Sequence, residues 1–248
     1  MKKILSILII FTLLFFYSCG KIFLSIATDK SAVKKATYLY NDSLNKTVIF
    51  VPMQHIGKPN YYEEVRLFLD SLRKNDFVVF YENIGISYSW DSLPTDTLIR
   101  KMRKIVGMNL VGGYKNPDNK SLKKHWVNSK YISQANNIGL KDTDFWVDLD
   151  AHELIEKYEE RMGKIVLTEC DCNTPLFEKY KCKDTAKIDK WVFTHLFRNK
   201  YIFEKVIESE YNKIVLVYGK GHKSWICHDL KWIGSYKKVK VKYKKRIY

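Results

Sequence analysis

Lys213-Ile214-Val215-Leu216-Val217-Tyr218-Gly219-Lys220-Gly221-His222 is a short apolar, β-branched run that ends in a tight turn carrying a histidine. Thr47-Val48-Ile49-Phe50-Val51-Pro52-Met53-Gln54-His55 uses the same device nearer the start. A third run, Phe77-Val78-Val79-Phe80-Tyr81, ends in Glu82. Uninterrupted apolar runs of this length read as strands buried on both faces. Open α/β sheets build their sites at the C-terminal ends of such strands. His55, Glu82 and His222 are therefore candidates for one shared centre.

The segments between these runs set the class. Gly57-Lys58-Pro59-Asn60 is a turn, and Asn60 with Glu63 has the spacing of a capping box. Val65, Leu67, Phe68, Leu69 and Leu72 form a stripe that predicts a helix over 61–74. Asn75-Asp76 breaks it, so strand, helix and strand make a crossover unit with a parallel strand pair. Ahead of it, Thr37 to Tyr40 and Lys46 to Val51 read as strands joined at Asn41-Asp42. Behind it come a strand over 144–149, a charged helix over 151–162, and a long amphipathic helix over 185–208. A short helix from Ser224 and a basic strand close the chain. The predicted class is α/β, with a central mixed, partly parallel sheet flanked by helices. Residues 92–141 read as a helical insertion. One helix holds Leu98, Ile99, Met102, Ile105 and Val106, and a second lies around 122–135. This insertion is either a lid over the sheet end or a plain packing layer.

The N-terminus reads as a targeting segment. Lys2 and Lys3 precede an apolar stretch, Ile4 to Tyr17, and then Ser18-Cys19-Gly20. Phe16-Tyr17-Ser18-Cys19 resembles a bacterial lipoprotein signal, with Phe16 where leucine is usual, and implies lipidation at Cys19. The expected organisation is a signal over 1–18, a tether over 19–35 and one domain over 36–248. The expected location is the cell envelope, with the chain held to a membrane by acyl groups.

The formal charge is +16. A basic surface suits nucleic acid, anionic lipid or an acidic substrate, and an envelope location argues against nucleic acid. The alternating tail Lys237 to Arg246 reads as an edge strand whose lysines block unwanted pairing. Besides Cys19 there are Cys170, Cys172, Cys182 and Cys227. An oxidising compartment permits disulfides, and Cys172 with Cys182 is the simplest pairing. A thiolate metal site at Cys170-Asp171-Cys172 lacks the usual two-residue gap.

Two imidazoles and a carboxylate suit a divalent metal such as zinc, manganese or cobalt and leave coordination positions open for chemistry. A metal held there lowers the pKa of a bound water and polarises a carbonyl. Gly219 and Gly221 fit a turn that needs positive φ or close backbone approach, while Pro52 stands in the first turn where the second has Gly219. Other signatures fail. His152-Glu153 lacks a second histidine at the place of Glu156, so it is no zincin motif. No Gly-x-Ser-x-Gly elbow or phosphate-binding glycine loop is present. His125, His195 and His228 have no informative spacing.

His55 with Gly57-Lys58-Pro59-Asn60-Tyr61-Tyr62 and Val65-Arg66, then Glu82, Arg198-Asn199, and Tyr218-Gly219-Lys220-Gly221-His222, resembles the TraB/Tiki/GumN family. That family belongs to a wider group with ChaN-type haem-binding lipoproteins and erythromycin-esterase-like enzymes. The pattern is two Gly-x-x-His motifs, a glutamate after the next strand, and an arginine on the helix before the second motif. Pro52 replaces the first motif's glycine. The resemblance covers most of 46–230 and is weakest over 90–185. It implies peptide hydrolysis dependent on a divalent metal for Tiki-like members and pheromone inhibition for TraB-like ones. On this reading His55, Glu82 and His222 hold the metal, and Arg198 orients substrate or stabilises an oxyanion. Glu82 is the candidate base if it is not a ligand. The expected function is an envelope-anchored hydrolase of peptide or ester bonds. The alternative is a lipoprotein that binds a peptide, a small molecule, a metal or haem without turnover. For haem, Tyr218 or either histidine is the candidate axial ligand.

Overall fold

The computed structural model describes residues 31–83, 95–107, 132–134, 138–176, 178, 180–182 and 189–240. Cys19, His125, most of the second insertion helix, the start of the long helix at 185–188 and the tail beyond 240 lie outside these residues. The class is α/β. A six-stranded mixed sheet has the order β6-β4-β7-β2-β1-β8, where β1 is Thr37–Asn41, β2 Lys46–Met53, β4 Val78–Tyr81, β6 Phe145–Trp146, β7 Lys213–Gly219 and β8 Lys237–Val239. A separate two-stranded piece pairs β3, Ile56–Gly57, with β5, Ile132–Ser133.

The two histidine-bearing runs are direct neighbours. β2 pairs with β7 in parallel from Thr47 opposite Lys213 to Met53 opposite Gly219. β4 lies on the other side of β7, also parallel, with Tyr81 opposite Val217. The crossover from β2 to β4 therefore skips one position, and the last long strand of the chain fills the gap. β1 and β8 add an antiparallel edge. β8 is exposed at all three positions, which fits lysines that protect an edge.

Alternation along the central strands sorts two cores. Val48, Phe50, Ile214, Leu216 and Tyr218 face one side. There they meet Ile202 and Val206 of α5 (Phe197–Glu208) and Ile226 and Leu230 of α6 (Lys223–Trp232). Ile49, Val51, Met53, Val215 and Val217 face the other side and meet Tyr61, Tyr62, Val65 and Leu69 of α1 (Pro59–Arg73). Each such side chain, fully buried, contributes about 1.5–3 kcal/mol. Ala32 and Val33, inside the segment expected to be a tether, are buried in this second core. Lys46 is buried as well, and its Nζ donates to the carbonyls of Val206 (3.1 Å) and Ser209 (2.6 Å), closing the C-terminal end of α5.

Helix α1 begins earlier than the capping box predicts. Lys58 is its N-cap without a side-chain bond and Pro59 is the first helical residue. Proline is well suited there, because its missing N–H would have no helical partner. Helix α2, Thr95–Val106, packs Leu98, Met102 and Ile105 against Leu154, Ile155 and Tyr158 of α3 (Ala151–Met162) and against Val192 and Phe193. Helix α2 of the insertion is thus a packing layer, whereas Ile132 and Ser133 pair with β3 beside His55. Asp150 caps α3 in a capping box with Glu153.

The disulfide joins Cys170 to Cys182, not Cys172. Cys170 and Cys172 both lie on the short helix α4, Glu169–Asn173. Two residues apart on a helix, they point about 200° from each other. Only Cys170 faces the returning chain, and Cys172 is exposed and free. Asp171 between them is committed to Lys104 Nζ (2.7 Å) and to Thr168 and Tyr180, so the Cys170-Asp171-Cys172 metal site does not form. Cys227 is a free thiol in the core, where burial pushes its pKa up to about 11.

Candidate functional site

Three strand ends meet where the parallel strands finish. β4 delivers Glu82, whose own N–H continues the ladder to the Val217 carbonyl at 3.1 Å. The Gly219 N–H donates to Glu82 Oε2. A Cβ on Gly219 would come within 3.0 Å of that oxygen. Gly219 has φ −50 and Gly221 is not among the residues with positive φ. Close approach, not backbone sign, is therefore what these glycines serve. At Gly221 the neighbour is His195, whose Nε2 would lie 2.7 Å from an added Cβ.

Arg198 comes from α5 and is buried at 3 % exposure. Its Nη2 donates to Glu82 Oε1 at 2.7 Å and to Asp148 Oδ2 at 2.6 Å, and its Nε donates to Asp148 Oδ1 at 2.9 Å. One guanidinium thus forks onto one carboxylate and reaches a second. Burial opposes its charge, but Asp148 and Glu82 outweigh burial and raise its pKa. For Glu82 burial pulls upward. The hydrogen bond to His222 and the charges of Arg198, His222 and His55 more than offset it and hold the carboxyl far below the usual range. For Asp148 burial wins over Arg198 and the pKa is raised.

His222 is buried in the 3₁₀ turn Lys220–His222. Its Nδ1 meets Asn199 Oδ1 at 2.6 Å and its Nε2 lies 3.4 Å from Glu82 Oε1. Asn199 Nδ2 is buried without a hydrogen-bond partner. His55 is exposed at the mouth, held by what surrounds its turn. Tyr62 Oη donates to the Gln54 carbonyl (2.8 Å), Tyr61 Oη to the Pro52 carbonyl (3.3 Å), and the Gln134 N–H to the His55 carbonyl (2.8 Å). Desolvation by the surrounding walls lowers the His55 pKa although the ring keeps access to solvent, Glu82 raises it, and Arg198 and His222 lower it again, so His55 lies within electrostatic reach of all three. Pro52 is strand rather than turn, in register with Tyr218. β1 has already ended there, Thr37 pairing with Phe50, so a residue without an N–H is tolerated.

The structure thus brings Glu82, Arg198 and His222 into direct contact and sets His55 above them. It adds residues that spacing did not single out. Asp148 follows β6, which lies parallel beside β4, and so it is a fourth polar strand end under the rule that picked Glu82. Asn199 adjoins Arg198. His195 lies three residues before Arg198, and its ring centroid is 5.0 Å from that of His222. Thr194 Oγ1 meets His195 Nδ1 at 2.7 Å. A wide helical turn over Val192–Leu196 leads into α5, and such turns recur at functional sites. Tyr218, by contrast, is no haem ligand. It is fully buried and its hydroxyl donates to the Val147 carbonyl.

Nδ1 and Nε2 of His222 both face oxygen acceptors, yet a neutral imidazole donates only once. The second side is met by a flipped Asn199 amide, whose Nδ2 otherwise has no partner, by another proton, or by a metal ion. For a metal the fit is two protein donors. Among the described residues no three His, Cys, Asp or Glu side chains converge as a ligand set. No family model, no curated protein and no solved structure matches this chain.

Proposed function

We propose that the sheet end is the centre of a hydrolase acting on a peptide or ester bond, of the Tiki-like type. The observation that carries the reading is the contact of Glu82, Arg198 and His222, residues remote in sequence, in one buried network with Arg198 Nη2 2.7 Å from Glu82. The resemblance expects these residues together.

A divalent metal would be held by His222 Nε2 and Glu82 and would supply an activated water, with His55 above them at the mouth. The protein's own contributions follow from the geometry. Asn199 fixes the His222 ring and aims Nε2 at Glu82. Arg198 keeps Glu82 anionic and immobile. His55 at the mouth, its pKa lowered first by desolvation, is placed to take a proton from water or substrate in its neutral form. The envelope location and the Cys19 lipid anchor belong to the same proposal. Among the described residues no helix is long and apolar enough to cross a membrane.

The test is metal content and hydrolysis of a mixed peptide and ester panel by the purified protein, beside His222→Ala. The expected result is bound metal and a fall in turnover of at least 100-fold in the variant. Equal turnover by the variant sinks the assignment.

A further inference from the structure

Helix α6 turns an aromatic and basic face outward. At about 100° per residue, Trp225, His228, Lys231 and Trp232 share one arc of roughly 120°, opposite the buried Ile226 and Leu230. All four are exposed, Trp225 at 46 % and Trp232 at 75 %, and Ile233 follows at 68 %. We infer that this face, with the neighbouring Lys238, docks on an anionic lipid bilayer and orients the domain there. The indoles sit at headgroup level and the lysines lie against the lipid charges.

The aromatic half is contiguous. Trp191, just before the wide turn Val192–Leu196, has its ring centroid 5.1 Å from that of Trp225. The rings of His228 and Trp232 are 6.1 Å apart. Apolar residues scattered singly over a surface are ordinary, but a joined set marks an interaction site. The basic half adjoins it. Lys231 stands one helical turn after Cys227, and Lys238 lies opposite Leu39 in the β1–β8 pair. Leu39 and Cys227 share one core, and cross-strand partners share a face, so Lys238 rises on the side of the sheet that α6 covers. Burial raises the Cys227 pKa, and the charges of Lys223, Lys231 and Lys238 oppose that rise, so all three gather around one thiol. Lys237 is paired with Asp42. From Lys220 to Lys240 the sequence has six lysines and one acid, Asp229, which meets the His228 ring at 3.1 Å.

Charge and shape select the occupant. An excess of lysine attracts a surface of negative charge. Tryptophan beside lysine suits the edge of a bilayer, where an indole buries its ring with the N–H still hydrated and a lysine lays its stem on apolar surface with the ammonium in water. The outer face of a helix is convex, which a yielding surface accommodates. A helix of ten residues lies in the interface and does not cross it. His222 is the N-cap of α6, so a bilayer that holds α6 holds the candidate centre at its surface. Docking of this kind is reversible and screened by salt. It orients an anchored chain and does not retain a free one through fractionation. It needs neither turnover nor an acyl group at Cys19.

Vesicle binding at low salt by the full chain carrying Cys19→Ser tests the face without any acyl anchor. The vesicles are phosphatidylcholine alone, or phosphatidylcholine with about one-third phosphatidylglycerol. Each lysine close to an anionic bilayer strengthens binding about 5-fold. The parent is expected to bind the anionic vesicles at least about 10-fold more tightly than the neutral ones, and to lose that preference in high salt. Lys231→Gln/Lys238→Gln should weaken binding to the anionic vesicles by about 10-fold or more. Trp225→Gln/Trp232→Gln should weaken it at least about 5-fold. These positions are exposed, and an unchanged urea midpoint shows that each variant is folded. Equal binding of both vesicle types by the parent overturns the assignment, and so does either double variant that binds as the parent does. A parent that ignores both vesicles but binds a DNA duplex gives the face to nucleic acid and overturns it equally. Hydrolysis and acylation are read separately, so the loss of either leaves a vesicle preference standing.

Discussion

Arg198 decides more of this site than any histidine. Among the described residues it is the one lysine or arginine paired with two largely buried carboxylates, with side-chain exposures of 9 % for Glu82 and 0 % for Asp148. Removing a partner from a buried pair leaves an uncompensated charge, which typically costs about 3–5 kcal/mol. Arg198→Ala should therefore lose about that much stability in urea unfolding at pH 7. Arg198→Lys should recover only part of it, because an ammonium cannot fork onto Asp148 and still reach Glu82. A loss under about 1 kcal/mol for the alanine variant would show that the network does not hold the strand ends together. The same residue marks a limit of sequence reading. On a long helix an arginine looks like surface, and only its place in a family pattern raised it. Its partner Asp148 was within reach of a rule already in use, since it follows a strand beside Glu82, but β6 is only two residues long and both of them are exposed.

At the level of elements, the strand-to-histidine turns were legible because buried parallel strands leave a strong mark in sequence. Their order was not. Nothing in the runs themselves says that β7 enters between β2 and β4, yet that insertion is what puts His222 beside Glu82. The approach of the wide turn before α5 was equally hidden, since its cause is spatial: His195 fills the space that Gly221 leaves. A side chain at Gly221 must displace that ring, because an added Cβ would lie 2.7 Å from Nε2. Overpacking of this kind costs about 1–3 kcal/mol. Gly221→Ala is expected to lower stability by that amount and to cut any turnover at least 10-fold. In a His195→Ala background the obstacle is gone, so the stability cost should shrink by at least about 1 kcal/mol in a double-mutant cycle. Full additivity of the two substitutions would mean that Gly221 answers to some other neighbour.

For the whole molecule, the envelope proposal and the covalent structure bear on each other. The loop containing α4 has its own anchors besides the bridge. Arg103 is fully buried and donates to the carbonyls of Pro175, Asp171 and Thr174, and Lys104 pairs with Asp171 at 2.7 Å. The Cys170–Cys182 bond spans 12 residues. Closing a loop of that size stabilises by about 3 kcal/mol in the chain-entropy picture, less whatever order the loop already keeps. A chain exported to an oxidising compartment gains this, and a chain retained in a reducing cytosol does not. Expression in a bacterial host separates the two. The exported chain should fractionate with membranes and take up labelled fatty acid. Non-reducing peptide mapping should join Cys170 to Cys182 and leave Cys172 free. Cys19→Ser should remove the fatty acid and release the chain from membranes with the bridge intact. Cys182→Ser should stay anchored but lose about 2–3 kcal/mol, whereas Cys172→Ser should change stability by less than about 0.5 kcal/mol, as exposed substitutions usually do. Soluble, unlabelled wild-type protein with all four of these thiols reduced would remove the envelope proposal, while the contact between Glu82, Arg198 and His222 would stand unchanged.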